Sequence, residues 1–515
     1  WGLPGNPAYA QIVANKAMPA HTQPAVVTTA NGLPQVNIQT PNGAGVSMNN
    51  YSQFDVQKKG AILNNSVTST KTQLAGWILG NPLLPTNSAR VIVNQIQSAN
   101  PSLLNGYIEV AGQRAQVVMA NPAGISCDGC GFIQADRAVL TTGQVNLNPA
   151  TGALDHYVVR GGSVNIANLD GSQTPYVDVL ARAVKVTGTL RAQKLDIKTG
   201  INTIAADTGA VSIDDAATAA TKPERSKTQG DKADTPPVAI DVAELGGMYA
   251  GQITLLATEQ GVGVNNAGHI QAAGNLTLSS DGQVHNRGNL VSDAQLQVQS
   301  GSLRNDGTLY GRAKTIATTT GHLQNNSQIL SGGHIALDAR GEKGHLDLAS
   351  GSQLAAGLLV PGSAGGQPLS SDRAGGSQLK PGQSIALQAT QQANLSGTIQ
   401  VNGDLLAQAN NLSVANSKIE AEHIRLSSRL SDLQANHAQI AANTLALDTP
   451  NRLLTEHARI QAKDLQLNAA SIRNREGQLV HSGATPFVLK TGELDNRGGL
   501  IAATSANLQI KADSL

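Results

Sequence analysis

The chain has 515 residues, a net charge of +1 and only 14% charged residues, so it offers no clustered Lys/Arg field for a nucleic acid or an anionic membrane surface. Aromatic residues make up 2%, with three Phe and two Trp against 54 Gly, which excludes a wide core and points to small aliphatic side chains in narrow layers. Apolar runs are strand-sized, too short for a transmembrane helix. The first residue is Trp1 rather than Met, as in a fragment or processed chain whose signal peptide is missing.

Residues 1–30 carry four prolines and no sustained period, and read as an irregular or edge segment that caps the strands after it. From Pro34 onward strand signals recur in "VNIQT", "YSQFDV", "RVIVNQI", "YIEVAG" and "AQVVMA". Each is short, alternating or β-branched, and bounded by Gly, Pro or Asn. Only "STKTQLAGWILG" (69–80) has the mixed character of a short helix, weakened by its two glycines.

Two Asn-Pro corners precede strands. One is Asn100-Pro101 in "ANPSLLNGYIEV", the other Asn121-Pro122-Ala123-Gly124-Ile125 in "VVMANPAGISCDGCGFI". Pro122 fixes its own φ and restricts Asn121, and Gly124 permits a positive φ. By spacing alone these are corners. Just beyond them stand the only cysteines, Cys127 and Cys130. A zinc site needs about four ligands, and no histidine is close in sequence. A thioredoxin-type pair opens a helix after a strand, whereas "CDGCGFI" is a Gly-rich turn running into a strand. The pair reads as a local disulfide across a tight turn, or as two small buried side chains. Two cysteines leave the compartment open.

Residues 207–237 are charged, Ala/Thr/Pro-rich and nearly free of large apolar residues, as expected of an exposed loop or flexible insertion. Residues 361–382 form a second, Gly/Ser/Pro-rich loop insertion.

Around these breaks runs a repeat. "VNNAGHI", "VHNRGNL", "LRNDGTL" and "LQNNSQI" place Asn266, Asn286, Asn305 and Asn325 at steps of 20, 19 and 20. "IRNREGQL" and "LDNRGGL" come later, with weaker copies ending in Ile440 and Ile460. Each unit carries a second alternating run such as "NLTLSS", "QLQVQS", "HIALDA" or "DLQLNA". A period near 20 with two or three short strands per unit is the pattern of a solenoid. The physics selects an all-β fold, a right-handed parallel β-helix of roughly 20-residue coils. Strands too short to stand alone pair with the next coil about 4.8 Å away. Inward Leu, Ile, Val and Ala stack on their equivalents, and the asparagines can hydrogen-bond along a ladder. "EAEHIRLSSRLSDLQ" allows a local helical reading, but its neighbours keep the beat.

Catalytic, metal and cofactor sites are not expected. The histidines scatter, many at turn positions of the repeats, as at His269, His285, His334 and His437. No Gly-x-Ser-x-Gly, phosphate loop or His-Glu-x-x-His occurs, and carboxylates are thin along the repeats. A carbohydrate-active β-helix enzyme remains the alternative of another class, and clustered carboxylates in a solvent cleft would favour it.

Together, "GLPQVNIQTPNGAGVSMNNYSQFDV", "GAILNNS", "TQLAGWILGNP", "ARVIVNQI", the double-corner segment and "AELGGMYAGQITLLATEQGVGVNNAG" succeed one another in an order that resembles a known family. It is the N-terminal secretion domain of two-partner-secretion exoproteins, which include filamentous haemagglutinins and contact-dependent growth inhibition proteins of the CdiA type. The likeness covers residues 31–270, and residues 271–515 resemble the haemagglutinin repeats. The family's Asn-Pro-Asn-Gly-Ile stands here with Ala123 in third place. The resemblance implies capping and extra-helical β-elements in the N-terminal part. It implies export through the periplasm to the surface of a Gram-negative bacterium. The partner is an outer-membrane β-barrel transporter whose periplasmic domains read the domain while it is unfolded. Asn100, Pro101 and Asn121 to Ile125 are then the candidate recognition motif. Receptors on a neighbouring bacterium or host cell would meet regions outside this chain, and no nucleic acid is expected. The "CDGCGF" form and the "ELGGMYAG" junction favour toxin delivery, with a filamentous adhesin as the alternative.

Overall fold

The computed structural model describes residues 11–213, 237–359, 379–504 and 506–515. Most of the expected loops at 207–237 and 361–382, and the first ten residues of the N-terminal segment, lie outside the described residues. Among the described residues every regular element is a strand, apart from a single 3-10 turn at Ala20–Thr22. The chain divides into two compact units, Trp1–Gln271 and Ala272–Leu515.

The first unit is a parallel β-helix with antiparallel additions. Strand Val46–Phe54 starts a column that continues in parallel through Val91–Ile96, Ala115–Ala120, Ala135–Thr141, Ser163–Ala181, Ala183–Thr199 and Gly247–Ala257. A second column runs through Pro34–Asn37, Ala61–Asn65, Tyr107–Gly112 and the end of Ile125–Ile133. A third runs from Ser102–Leu104 through the start of Ile125–Ile133 to Gly263–Asn266. The N-terminal segment is more regular than its prolines suggest. Ile12–Ala14 pairs antiparallel with Val46–Phe54, and Ala25–Thr28 with Pro34–Asn37, so the open edge of the coils is covered rather than left to pair with another chain.

Outside the coils stands a four-stranded antiparallel sheet, Gln144–Leu147, Leu154–Val159, Asn202–Ala205 and Val211–Ile213. It exists because one coil face is apolar on its outer side as well. Val46, Val93, Val118 and Val139 point outward, and Val145, Tyr157, Val159 and Ile204 of the sheet bury them. Each such Val, fully buried, contributes about 1.5–3 kcal/mol relative to exposure.

The second unit has three strands per coil, and the register stacks like on like. One column reads Leu276, Leu296, Thr315, Ile335, Ile385, Leu405, Ile424, Leu445 and Leu465. Another reads Leu290, Leu309, Ile329, Leu354, Ile399, Ile419, Ile440, Ile460 and Leu479, with Ile501 closing it. All but Ile501 are buried and all but Thr315 are aliphatic, so the core is a pile of mostly aliphatic layers, as the composition requires.

Three expectations need correction. Residues 69–80 form no helix; Thr70–Thr72 and Gly76–Ile78 make an antiparallel hairpin instead. Their helix-like spacing of Leu74 and Ile78 arises because both pack on Ile62 and Ala111. By contrast "EAEHIRLSSRLSDLQ" keeps the beat of its neighbours and supplies strands, His423–Ser428 among them. His269, His285 and His334 stand in strands rather than turns, and of the four only His437 takes a corner, at φ 59°. Finally, Cys127 and Cys130 lie within one strand, Ile125–Ile133, not in a turn that precedes it.

Candidate functional site

The two Asn-Pro corners occupy neighbouring coils of the first unit. Ile125 pairs with Ser102, which stacks the residues leading into each strand. Asn121 joins them. Its Nδ2 donates to the Asn100 carbonyl at 2.9 Å and to Ser102 Oγ at 3.0 Å. Its Oδ1 accepts the Ala123 N–H at 3.0 Å, and its carbonyl accepts the Gly124 N–H at 3.0 Å. This is an Asx turn nested in a β-turn, with Pro122 and Gly124 in the positions such turns favour. The turn uses only the backbone of residue 123, so Ala123 serves where the family has Asn.

Asn121, Gly124 and Ile125 are buried, whereas Asn100, Pro101 and Pro122 are exposed and Ala123 is half-buried. Gly124 sits at φ 117°, and a β-carbon there would lie 3.2 Å from the Ser163 carbonyl. In the folded coil, the amide that defines the motif faces inward. What the surface presents is two prolines and one asparagine.

Cys127 and Cys130 are joined by a disulfide with their Cα atoms 5.4 Å apart. Both are buried, and Asp128 and Gly129 between them are exposed. Pairing with Ser163–Ala181 slips between Cys127 and Asp128 and again between Asp128 and Cys130. The bridge therefore closes a β-bulge, with Gly129 at φ 84° supplying the outward kink. Of the repeat asparagines, Asn266 is buried in the first unit. In the second unit Asn286 Nδ2 donates to Asn305 Oδ1 at 2.8 Å, and Asn305 Nδ2 to Asn325 Oδ1 at 2.7 Å.

The sequence pattern does not single out Glu109. Its buried carboxylate accepts the Gln73 N–H at 2.7 Å and the Leu74 N–H at 2.8 Å, fixing the turn of the 70–78 hairpin to the coil. Nor does it single out Asn81, buried and donating to the Ile38 and Asn64 carbonyls at 2.9 Å each. A signal existed in the single Glu of "YIEVAG", a carboxylate in an otherwise apolar strand, and in the "GNP" turn that follows the hairpin.

Carboxylates do gather at one place. A cavity of about 260 Å³ under the extra-helical sheet is lined by Arg137, Tyr157, Asp178, Lys194 and Asp196 among others. Asp178 and Asp196 are cross-strand partners. Arg137 Nη1 donates to Asp178 Oδ2 at 2.7 Å and stacks over Tyr176, 4.7 Å from its ring centre. Burial raises the pKa of Asp178, against the opposing pull of Arg137. One carboxylate of the pair is thus already engaged by a guanidinium, and the aromatic face beside it is already covered.

Residues 10–286 match the family described as TPS secretion domain. The chain is similar to a protein named Toxin CdiA from Yersinia pestis, with 39% identity over 534 aligned residues, 99% of this chain and 14% of that protein. It is also similar to a tRNA nuclease CdiA-2 from Burkholderia pseudomallei, 44% identical over 279 residues, 53% of this chain and 8% of that protein. Among solved structures, the crystal structure of a filamentous hemagglutinin secretion domain aligns at 29% identity and a TM-score of 0.47, covering 61% of this chain and 98% of that one. The chain spans 14% and 8% of the lengths of the two curated relatives.

Proposed function

The chain belongs to the TPS secretion domain family of two-partner-secretion exoproteins, which are secreted or surface-exposed in Gram-negative bacteria, and from that premise we propose that it opens a toxin-delivering filament. In this reading it is the N-terminal secretion domain and first part of the stalk, recognised by an outer-membrane β-barrel partner. The filament carries a C-terminal toxin to neighbouring bacteria. The observation that carries the proposal is the reach of the likeness to Toxin CdiA, which takes in 99% of this chain and so extends past residue 286 through the repeats.

The corner geometry supports a division of labour in time. Asn121 is buried and its amide is engaged by Asn100 and Ser102 once the coil closes. A partner that reads Asn121 must therefore meet the chain before it folds. An extended segment of this kind can add as a strand to a sheet edge. Coil-by-coil contacts then let the emerging chain fold without waiting for distant residues. The secretion domain carries no chemistry in this reading, and Arg137 on Asp178 supports that assignment for the Asp178–Asp196 pair.

The test is co-expression of the chain, behind a signal peptide, with and without its outer-membrane partner. We expect folded protein outside the cell only with the partner. Release without it, or periplasmic retention with it, would refute the transport reading. Toxin delivery is tested separately with the full-length protein in mixed culture. Contact-dependent arrest of sibling cells is expected, and attachment without arrest would replace it with adhesion.

A further inference from the structure

The hairpin of Thr70–Thr72 and Gly76–Ile78 has a buried side and a side that stands largely exposed among the described residues. Inward, Ile78 packs with Ile62 and Ala111, and Leu74 and Ala75 join them. Outward stand Trp77, 72% exposed, and Leu79, 78% exposed, with Val67 beside them. Gly80 locates Val67: a β-carbon on Gly80 would meet the Val67 carbonyl at 2.3 Å. Lys71 is the cross-strand partner of Trp77 and shares its face. The turn of Lys58 and Lys59 lies against the hairpin as well, since a β-carbon on Gly60 would come within 2.8 Å of Leu74 Cδ1.

The low overall charge predicts no clustered Lys/Arg for an anionic membrane surface, yet a local surplus lies here. Between Asp55 and Glu109 the sequence has four cations, Lys58, Lys59, Lys71 and Arg90, and no carboxylate. Asp55 and Glu109 are themselves buried and engaged by backbone N–H groups, so neither faces the lysines. Nor is the hairpin a loose flap. Glu109 holds its turn through both carboxylate oxygens, and Asn31 Nδ2 donates to the Leu74 carbonyl at 2.9 Å.

The exposed Lys58 and Lys59 stand in the turn against Leu74, and neither they nor Lys71 is in an ion pair among the described residues. An exposed Trp and Leu on a rigid projection, with Lys71 on the same face and these two lysines nearby, match the chemistry of a membrane interface. Trp settles at headgroup depth, and lysine ammonium groups meet lipid phosphates. We propose that the outer face of this hairpin docks on a phosphate-bearing lipid surface, with Trp77, Leu79 and Val67 as anchors and Lys58, Lys59 and Lys71 as the charge. Such docking is independent of the transport reading and stands or falls without it.

Trp77 is one of two tryptophans, so in a Trp1→Phe background its emission reports on this face alone. The purified chain is titrated with vesicles of phosphatidylcholine, and with vesicles in which about a quarter is phosphatidylglycerol, an anionic fraction large enough for lysine attraction to register. We expect a blue shift and co-sedimentation with the anionic vesicles only, reversed at about 0.5 M salt, where screening shortens to a few ångströms. Trp77→Ser with Leu79→Ser, and separately Lys58→Gln with Lys59→Gln and Lys71→Gln, should each reduce binding at least ~10-fold. The unsubstituted face needs no folding control, because the two lipid compositions are compared on the same protein. No shift with either vesicle overturns the proposal. So does an equal shift with both, binding that survives both sets of substitutions, or a lipid-independent shift that grows with protein concentration and marks self-association.

Discussion

Asn305 donates its side-chain amide to Asn325, 2.7 Å away in the next coil, and receives the amide of Asn286 at 2.8 Å. The same Nδ2 also reaches the Gln328 carbonyl at 2.9 Å. The residue is fully buried, so each rung satisfies groups that water cannot reach. The ladder stops where the residue opposite Asn325 becomes Leu348.

That ending gives an unequal pair of substitutions. Asn305→Ala leaves the Gln328 carbonyl and the neighbouring rungs short of partners, at a cost of about 2–4 kcal/mol. Asn325→Leu merely moves the leucine end of the column one coil earlier, and should cost less than half as much. Because a solenoid opens locally, hydrogen exchange of the strands at 295–305 and 322–331 is the measurement. Equal loss of protection in the two variants would show that the ladder contributes no more than packing.

A second column runs along a corner of the second unit. Asn416, His437, His457 and Glu476 all take left-handed backbone, at φ 61°, 59°, 54° and 54°, and Gly498 continues the series at 67°. His437 and His457 stack at 4.9 Å between ring centres. Left-handed geometry costs a residue with a β-carbon about 1–2 kcal/mol. Glu476→Gly removes that cost and forfeits only an exposed contact with His457 at 3.3 Å, of the kind that contributes little. A net gain of about 0.5–1 kcal/mol remains after the added chain entropy of Gly. His457→Gly should gain less, because it also breaks the ring stack. Midpoints of thermal unfolding for the two variants decide it, and a loss in Glu476→Gly would contradict a strained corner.

Arg137 and Asp178 predict a pH-dependent defect. Their side chains are 31% and 11% exposed. Arg137→Met leaves the carboxylate desolvated and unpaired, costing about 2–3 kcal/mol, less than a fully buried pair because Arg137 is partly open to water. Burial already raises the Asp178 pKa, so its folded value lies above its unfolded one. The stability it contributes is full below the unfolded value and falls as pH rises through the folded one. Losing Arg137 raises the folded value further. The deficit of Arg137→Met should therefore be larger at pH 7 than at pH 4, and Arg137→Met with Asp178→Asn should recover most of it. A deficit independent of pH would place the effect in lost packing on Tyr176.

Asp306 has the opposite sign. Burial pushes its pKa up, but hydrogen bonds from Asn326 at 2.6 Å, His285 at 2.7 Å and Arg304 at 2.8 Å prevail and hold it at about 2. Its contribution is complete above the unfolded value of about 3.9 and disappears as pH falls through the folded one. Asp306→Asn should flatten the stability profile between about pH 4 and pH 2. Thermal midpoints in that window should fall less steeply in the variant than in the parent, whose other lowered carboxylates, Asp170, Asp432 and Asp495, titrate in both; parallel profiles would sink the assignment.

Much of the fold was legible in the sequence because a solenoid repeats its reasons. Leu276 and Leu296 recur for one inward position, Val284 and Leu303 for another, and Asn286 and Asn305 for the same corner. Elements that are not repeated were harder to read. The strands at 144–159 and 202–213 alternate like coil strands, and only the outward valines at 93, 118 and 139 distinguish a sheet that roofs the coil. The hairpin at 70–78 depends on Glu109, whose role is set by a contact 35 and 36 residues away. The cysteine pair was readable as a brace but not as a bulge, since the slip in register belongs to the pairing with Ser163–Ala181 rather than to "CDGC" itself.

The double corner allows recognition and folding to be separated. Asn121→Ala deletes the amide that bridges to Asn100 and Ser102. Gly124→Ala keeps every hydrogen-bonding group of the unfolded segment, but puts a β-carbon on a backbone at φ 117° and 3.2 Å from the Ser163 carbonyl. Each should weaken the folded corner by about 1–3 kcal/mol. Cys127→Ser with Cys130→Ser weakens the bulge next to it, and its short loop constrains the unfolded chain only a little. If the partner reads the unfolded chain, Gly124→Ala and the double serine variant should bind its periplasmic domains, as denatured chains, like the parent. Asn121→Ala should bind them more weakly. Export should fall furthest for Asn121→Ala, less for Gly124→Ala, and persist for the serine pair. If all three variants bind equally and export tracks their stability alone, the Asn-Pro corner is only a corner, and the address lies elsewhere in the domain.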